Sequence, residues 1–273
     1  MLIYKKPQRA IISDINEDII NVYKMIRLYP NELIKELEFH DKHDTEDHYY
    51  ATRNEFNDAK KKREQMKMEQ NECLNENMGI VQQAGRFIYL NARCFNGLYR
   101  ENASGEMNSP YAKDLKGMKR ISNPENIIAL SKYFNDADIF IQSRSYETIF
   151  NVIEYFIKSK IKIVDDTKIF FFLDPPYYPI SETASFTSYS KDSWRDPDFI
   201  KLRIFVDEIN KNCWKFLLCN HSVPFIKSLF KGYYQVEHLV SRSVSCNAQD
   251  RKPVTEILIA NYEITTTNQT KVI

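Results

Sequence analysis

The chain of 273 residues contains only six glycines, and the first is Gly79. Nothing before it can form a glycine-rich loop that presses backbone N–H groups against a phosphate or a cofactor. Cysteine is sparse as well. Cys73, Cys94, Cys213, Cys219 and Cys246 include no CxxC pair, which argues against a zinc ribbon or a disulfide framework and fits reduced thiols in a cytosol. No apolar run approaches the roughly 20 residues of a membrane span, and the opening MLIYKKPQRA lacks the apolar core of a secretory signal. An excess of one charge is missing too. The 38 Lys+Arg and 37 Asp+Glu nearly cancel, so net charge points to no partner. What is present, 43% hydrophobic and 27% charged residues, is a globular composition that excludes a wholly disordered chain.

The first half reads as mainly helical. A short strand, Ala10–Ser13, ends at Asp14. Apolar residues at helical spacing (Ile15, Ile19, Val22, Tyr23, Ile26) predict a helix to about Leu28. Pro30 should stop it, and Asn31 should cap a second helix ending near Phe39. The polar, glycine-free stretch 47–76 predicts one or two solvated helices, and 80–94 a packed one. Residues 95–122 hold three of the glycines and read as a loop or hairpin too polar to be core. Across 80–122 seven Lys/Arg face three Asp/Glu, a local excess of +4 hidden by the neutral total.

Beyond residue 122 the rhythm alternates. Helix 124–134 precedes strand 138–142, and helix 146–158 precedes the very apolar strand 169–174. A loop from Pro175 to about Pro197 leads to helix 198–211, strand 214–219 and helix 222–230. Strands near 233–240 and 254–261 close as an antiparallel pair. Buried apolar strands alternating with helices imply a parallel, doubly wound α/β sheet.

In such sheets ligands sit at the carboxyl ends of strands. Asp174-Pro175-Pro176-Tyr177 stands at such an end, directly after IFFFL. Two prolines fix the backbone and remove two N–H donors, leaving carbonyls free to accept. Asp174 adds a carboxylate and Tyr177 a flat aromatic face. The combination suits an exocyclic amino group on a planar base; the plainer alternative is an acid and a proline turn ending a strand. Asp14 also ends a strand. It can take the hydroxyls of a cofactor ribose, or cap the following helix with Glu17 three residues on.

These motifs together resemble the Dam-type DNA adenine-N6 methyltransferases, from about residue 8 to 262. The matching segments are ISDIN (12–16), RFIYLNARCFNGLYRENASGEMNSPYA (86–112), FFFLDPPYYPISETASFTSYSKDSW (170–194), LLCNHS (217–222) and EILIANY (256–262). The resemblance implies a doubly wound Rossmann-like methyltransferase sheet lacking its first strand, with an inserted, mainly helical DNA-recognition domain. The catalytic domain would comprise 1–29 and 123–263, the target-recognition domain 30–122 with its hairpin at 95–113, and a disordered tail 264–273. It implies S-adenosylmethionine as methyl donor, no metal, and double-stranded DNA as partner. A flipped adenine would be bound by Asp174, Pro175, Pro176 and Tyr177. Asp14 and Ser145 would face the cofactor. Asn96, Leu98, Arg100, Pro110, Lys113, Arg242 and Asn247 would touch DNA, Arg100 reading guanine and Leu98 and Pro110 packing on a thymine methyl. The match suggests a GATC-like, GAT-containing site, a cytoplasmic bacterial or phage-like protein, and a place in a restriction–modification system.

Two departures stand out. Relatives carry a glycine-rich FxGxG loop before the ISDIN strand, whereas only thirteen residues precede Asp14 here, none of them glycine. Where relatives often place an acid after the third strand, this chain has Ser143 and Ser145. The expectation is weak cofactor binding by the isolated chain. A separate upstream polypeptide would then supply the missing segment; the alternative is a truncated form that is an inactive DNA-binding module. Other groups read more plainly. Lys60-Lys61-Lys62-Arg63 suits a solvated helix face better than a phosphate track, and His40, His43 and His48 lack clean metal-ligand spacing. Ser185–Tyr189 resembles a loop that orders over DNA, and Arg251 lies with Arg242 and Asn247 in a polar loop suited to phosphate contact.

Overall fold

The computed structural model describes residues 5–68, 77–113, 120–158, 169–180, 194–240 and 253–265. They fall into two compact units, Met1–Ile149 and Phe150–Ile273.

In the first unit, strand β1 (Arg9–Asp14) runs parallel to β2 (Asp138–Ser143), with Asp14 opposite Ser143 at their carboxyl ends. Helix α1 (Glu17–Leu28) follows β1 and helix α2 (Pro30–Lys42) follows α1. Pro30 does not separate them by a loop: it is the first residue of α2, behind Tyr29, which ends one helix and begins the next. Proline fits there because that N–H would have no intrahelical acceptor. The cap of α1 is Asn16, whose side chain accepts from the N–H of Asp18 and Ile19. Asp14 is therefore not the helix cap.

Helix α3 (Glu46–Met68) is a single helix of 23 residues and helix α4 (Asn77–Arg93) is the packed helix read from the sequence. Helix α5 (Pro124–Asp136), capped by Asn123, leads into β2. One core joins Met25, Ile26, Leu33, Leu37, Ala84, Ile127, Phe134 and Ile139, drawn from α1, α2, α4, α5 and β2. A second joins Tyr49, Phe56, Tyr89, Leu90 and Cys94 with Tyr99, Met107 and Tyr111. Two expectations change here. The stretch 95–122 contributes four core side chains, Tyr99, Met107, Tyr111 and Ala112, and α3 is not solvated all round, because Tyr49, Thr52 and Phe56 are buried. A stripe of three among so many charges is too narrow to show as amphipathicity.

In the second unit, helix α6 (Ile149–Lys158) begins at the boundary, and the strands β3 (Phe170–Leu173), β4 (Lys215–His221), β5 (Tyr234–Val240) and β6 (Val254–Ala260) form a sheet of order β3-β4-β6-β5. β3 and β4 are parallel; β6 lies between β4 and β5, antiparallel to both. Helix α7 (Asp196–Lys211) packs on β4 and buries Phe199, Leu202, Phe205, Val206 and Ile209. Phe216, Leu218, Ile257 and Ile259 are the buried strand positions, and helix α8 (Pro224–Leu229) adds Ile226. β3 is not buried on both faces: Phe171 is, whereas Phe172 is 49% exposed.

Candidate nucleotide-binding and DNA-recognition sites

The first candidate site begins where β3 ends. Asp174 is exposed at that end, yet enough protein surrounds its carboxyl to raise its pKa by desolvation. Negative charge on Glu256 raises it further, and a hydrogen bond donated by the Tyr177 hydroxyl pulls it partly back. The Tyr177 hydroxyl is in turn held well above the ordinary tyrosine range by burial and by the Asp174 charge. Its ring meets His221 edge to face, centroids 4.9 Å apart. The same surroundings push the Cys219 thiol up to about 11.

Asn220, fully buried near the end of β4, anchors the proline turn. Its Oδ1 accepts from the Tyr178 N–H at 2.9 Å and its Nδ2 lies 3.5 Å from the Pro176 carbonyl. His221 Nδ1 donates to the Tyr178 carbonyl at 2.7 Å, and the Tyr178 hydroxyl donates to Asp196 at the start of α7. The Pro175 carbonyl accepts no hydrogen bond among the described residues. A carboxylate, a carbonyl and an aromatic ring thus share one turn, two acceptors for an amino group and a face for the planar ring that carries it. The sequence reading missed Asn220. Its signal was a polar residue in phase with the inward-facing Phe216 and Leu218.

The second candidate site lies at the carboxyl ends of β1 and β2. Asp14 Oδ1 accepts from the Asn16 N–H at 2.7 Å; its other oxygen has no partner among the described residues. The Arg144 N–H donates to the Asp14 carbonyl, and the Ser13 hydroxyl to the Arg144 carbonyl, which ties the two strand ends together. Ser145 caps the 3₁₀ turn Tyr146–Thr148 through the Glu147 N–H, so its hydroxyl is partly committed to structure. Exposed Glu147, which the sequence reading passed over, puts a carboxylate just beyond β2. A carboxylate at a strand end, with one oxygen unpartnered among the described residues, can accept from the hydroxyls of a cofactor ribose.

The third candidate site is the hairpin after α4. Cys94 pairs with Tyr111 and Glu101 with Met107, and Asn102 folds the tip by accepting from the N–H groups of Ser104 and Glu106. Asn96 and Gly97 both take left-handed backbone angles, φ 56° and 64°, which an Asn-Gly pair tolerates. Arg100, Pro110 and Lys113 are exposed, Asn96 and Leu98 half-buried. The local +4 is only partly available to a ligand. Arg86 pairs with Glu55, Arg93 is buried against Asp44, and Arg120 pairs with Glu38. Arg100 and Lys113 carry no ion pair among the described residues.

The run at 60–63 is a solvated face only in part, since Lys61 and Lys62 are exposed while Lys60 and Arg63 are largely covered. Lys60 pairs with Glu101, Lys61 with Glu106 and Arg63 with buried Asp18. His40 Nδ1 and His48 Nε2 bond each other at 2.9 Å, and no group of metal-ligating residues occurs among the described residues. Arg242, Asn247, Arg251, Ser185–Tyr189 and the tail from residue 266 lie outside them.

The chain matches a family model described as D12 class N6 adenine-specific DNA methyltransferase over residues 1–244. It is 33% identical to the Type II methyltransferase M.MjaIII of Methanocaldococcus jannaschii, over 93% of this chain and 81% of that one. It is 29% identical to the Type II methyltransferase M1.LlaDCHI of Lactococcus lactis subsp. cremoris, over 94% and 80%. To the DNA adenine methylase of Escherichia coli K12 it is 28% identical, over 92% and 78%.

Proposed function

The chain belongs to the D12 class of N6 adenine-specific DNA methyltransferases, and from that premise we propose that it methylates N6 of a flipped adenine in a GATC-like duplex site. The observation that carries this reading is the Asp174–Tyr177 turn at the end of β3. It offers the Asp174 carboxylate and the Pro175 carbonyl, which has no partner among the described residues, to the two N6 hydrogens. Both acceptors draw on an amino group whose lone pair is otherwise delocalised into the ring, and they bind it best as the nitrogen becomes tetrahedral. Tyr177 supplies a ring for the base and, through its hydroxyl, orients Asp174. S-adenosylmethionine, when bound, supplies an electrophilic methyl group. Asp14 would hold its ribose through its carboxylate, with Ser145 and Glu147 beside the same strand ends.

In this reading 1–29 and 123–263 form a Rossmann-like catalytic body. Residues 30–122 form the recognition domain, in which Asn96, Leu98, Arg100, Pro110 and Lys113 contact DNA, with Arg242 and Asn247 adding contacts. The Type II names of two relatives support a place in a restriction–modification pair. Neither a partner polypeptide nor an inactive DNA-binding module draws support from the comparisons, which align almost the whole chain with proteins named as methyltransferases. The deciding test is transfer of a labelled methyl group from S-adenosylmethionine to duplex DNA by the purified chain, followed by nucleoside analysis. N6-methyladenine lost in Asp174→Ala is the expected result; label on cytosine, or undiminished labelling in Asp174→Ala, would refute the assignment.

A further inference from the structure

The hairpin supports itself only in part. Two isolated strand pairings, Cys94 with Tyr111 and Glu101 with Met107, and the Ser109 hydroxyl on the Leu98 carbonyl hold its arms together. One face of α3 satisfies the backbone of Met107 and Ser109 in the returning arm. Asn57 acts as a substitute strand: its Oδ1 accepts from the Met107 N–H at 2.9 Å and its Nδ2 donates to the Met107 carbonyl at 3.0 Å. One and two turns earlier, Arg53 and Tyr49 both donate to the Ser109 carbonyl, at 3.1 and 3.0 Å. One turn later, Lys60 pairs with Glu101, which also accepts from the Tyr99 hydroxyl. Residues 49, 53, 57 and 60 follow helical spacing and form one stripe along α3.

The bonds to Ser109 and Glu101 land next to Pro110 and Arg100, and those to Met107 lie two steps from Arg100, through Asn108. The Asn108 N–H, between the two α3 anchor points, donates to the Arg100 carbonyl at 3.0 Å. The Ser109 hydroxyl donates to the Leu98 carbonyl at 2.6 Å, and Pro110 follows Ser109 directly. The side chains of Arg100 and Pro110 are exposed, while their carbonyls accept from the N–H groups of Asn108 and Phe95 on the opposite arm. Bidentate reading of a base edge tolerates little displacement, because both hydrogen bonds must keep their distance and angle at once.

We infer that α3 is the template that sets the register of the recognition hairpin, and that Asn57, with Arg53 behind it, is a specificity-determining positioning residue touching no DNA. This rests on the proposed role of the hairpin in reading DNA. Removing Asn57 should loosen the choice of sequence more than it slows the chemistry, since a hairpin free to shift accepts neighbouring base pairs.

The test maps the site of the wild-type protein by sequencing methylated adenines in DNA from a host without adenine methylation. Single-turnover methylation is then measured on that site and on duplexes with one base pair changed. Asn57→Ala should lower the ratio of rates between correct and altered sites by about tenfold, the worth of two hydrogen bonds to backbone. The rate on the correct site at saturating DNA should stay within about threefold. Asn57→Asp, which keeps the acceptor for Met107, should lower the ratio less, and Glu64→Gln on the exposed side of α3 should not change it. If Asn57→Ala does not fold, Asn57→Asp and Arg53→Ala carry the same measurement. Unchanged discrimination in folded Asn57 and Arg53 variants would overturn the inference. If Arg100→Ala also left the wild-type preference intact, the fault would lie in the reading of the hairpin itself, and both would fall.

Discussion

Asp174 is raised in pKa by burial and by Glu256, and lowered by the Tyr177 hydroxyl. As an acceptor for an amino group it must be ionised, so methylation should fall as pH drops through a value above the ordinary aspartate pKa of about 3.9. Tyr177→Phe removes the hydrogen bond that favours the ionised form, so the acid limb should move to higher pH. Glu256→Gln removes a negative neighbour and should move it to lower pH. The pH dependence of single-turnover methylation checks both signs. If neither variant shifts the limb, Asp174 is not the group that titrates. Asp174→Ala should slow the chemical step by about 10²–10³-fold with DNA binding retained, and a 2-aminopurine at the target position would report flipping separately from chemistry.

At the scale of elements, α2, α3 and α4 meet through buried polar groups. Asp44, between α2 and α3, accepts from Tyr89, Tyr111 and buried Arg93. Asp44→Ala removes the nearest carboxylate from buried Arg93, leaving Asp41 at 3.8 Å, and the acceptor of two tyrosine hydroxyls, so it should destabilise the first unit by about 1–3 kcal/mol, read as a fall in the urea midpoint. His40 is 3% exposed on α2, stacked on Tyr89 at 4.6 Å. Its pKa falls to about 3 by burial, with His48 and Arg86 adding to the effect. The folded value lies below the unfolded 6.5, so the unfolded chain binds more protons between the two. Stability from this group is complete above pH 6.5 and is lost as pH falls toward 3. His40→Gln should flatten the decline in urea midpoint between pH 7 and 4; a decline as steep as wild type would place the acid sensitivity elsewhere.

For the whole molecule, partner choice is a matter of local charge, since the total is +1. Arg86, Arg93 and Arg120 spend their charge internally, which leaves Arg100 and Lys113 as the exposed cations of the described hairpin. If Lys113 meets a phosphate, Lys113→Ala should weaken binding alike on all sequences and reduce the salt slope by about 0.9. Arg100→Ala should instead cost about 1–3 kcal/mol and relax preference at one guanine. Titrations of both variants against two duplexes at several salt concentrations separate these outcomes. An equal loss on every sequence would make Arg100 a phosphate contact.

The strands, the helices of the second half and the turn at Asp174 were legible in the sequence, because each is governed by local physics. Apolar spacing selects helix or strand, and proline and glycine punctuate both. The antiparallel pairing of β5 with β6 was read from two successive strands joined by a loop with no helix between them. What remained hidden depended on partners distant along the chain. Lys60 and Arg63 looked solvated because Glu101 and Asp18 lie far from them in sequence. Asn57 and Asn220 looked like unremarkable polar residues until folding brought Met107 and Pro176 within reach of their amides. Residues 95–122 looked too polar for a core because Tyr99, Met107 and Tyr111 are spread among charges and converge only against α3 and α4. Local propensity is written in neighbours along the chain, whereas the satisfaction of a buried polar group is decided by whichever distant segment folding places against it.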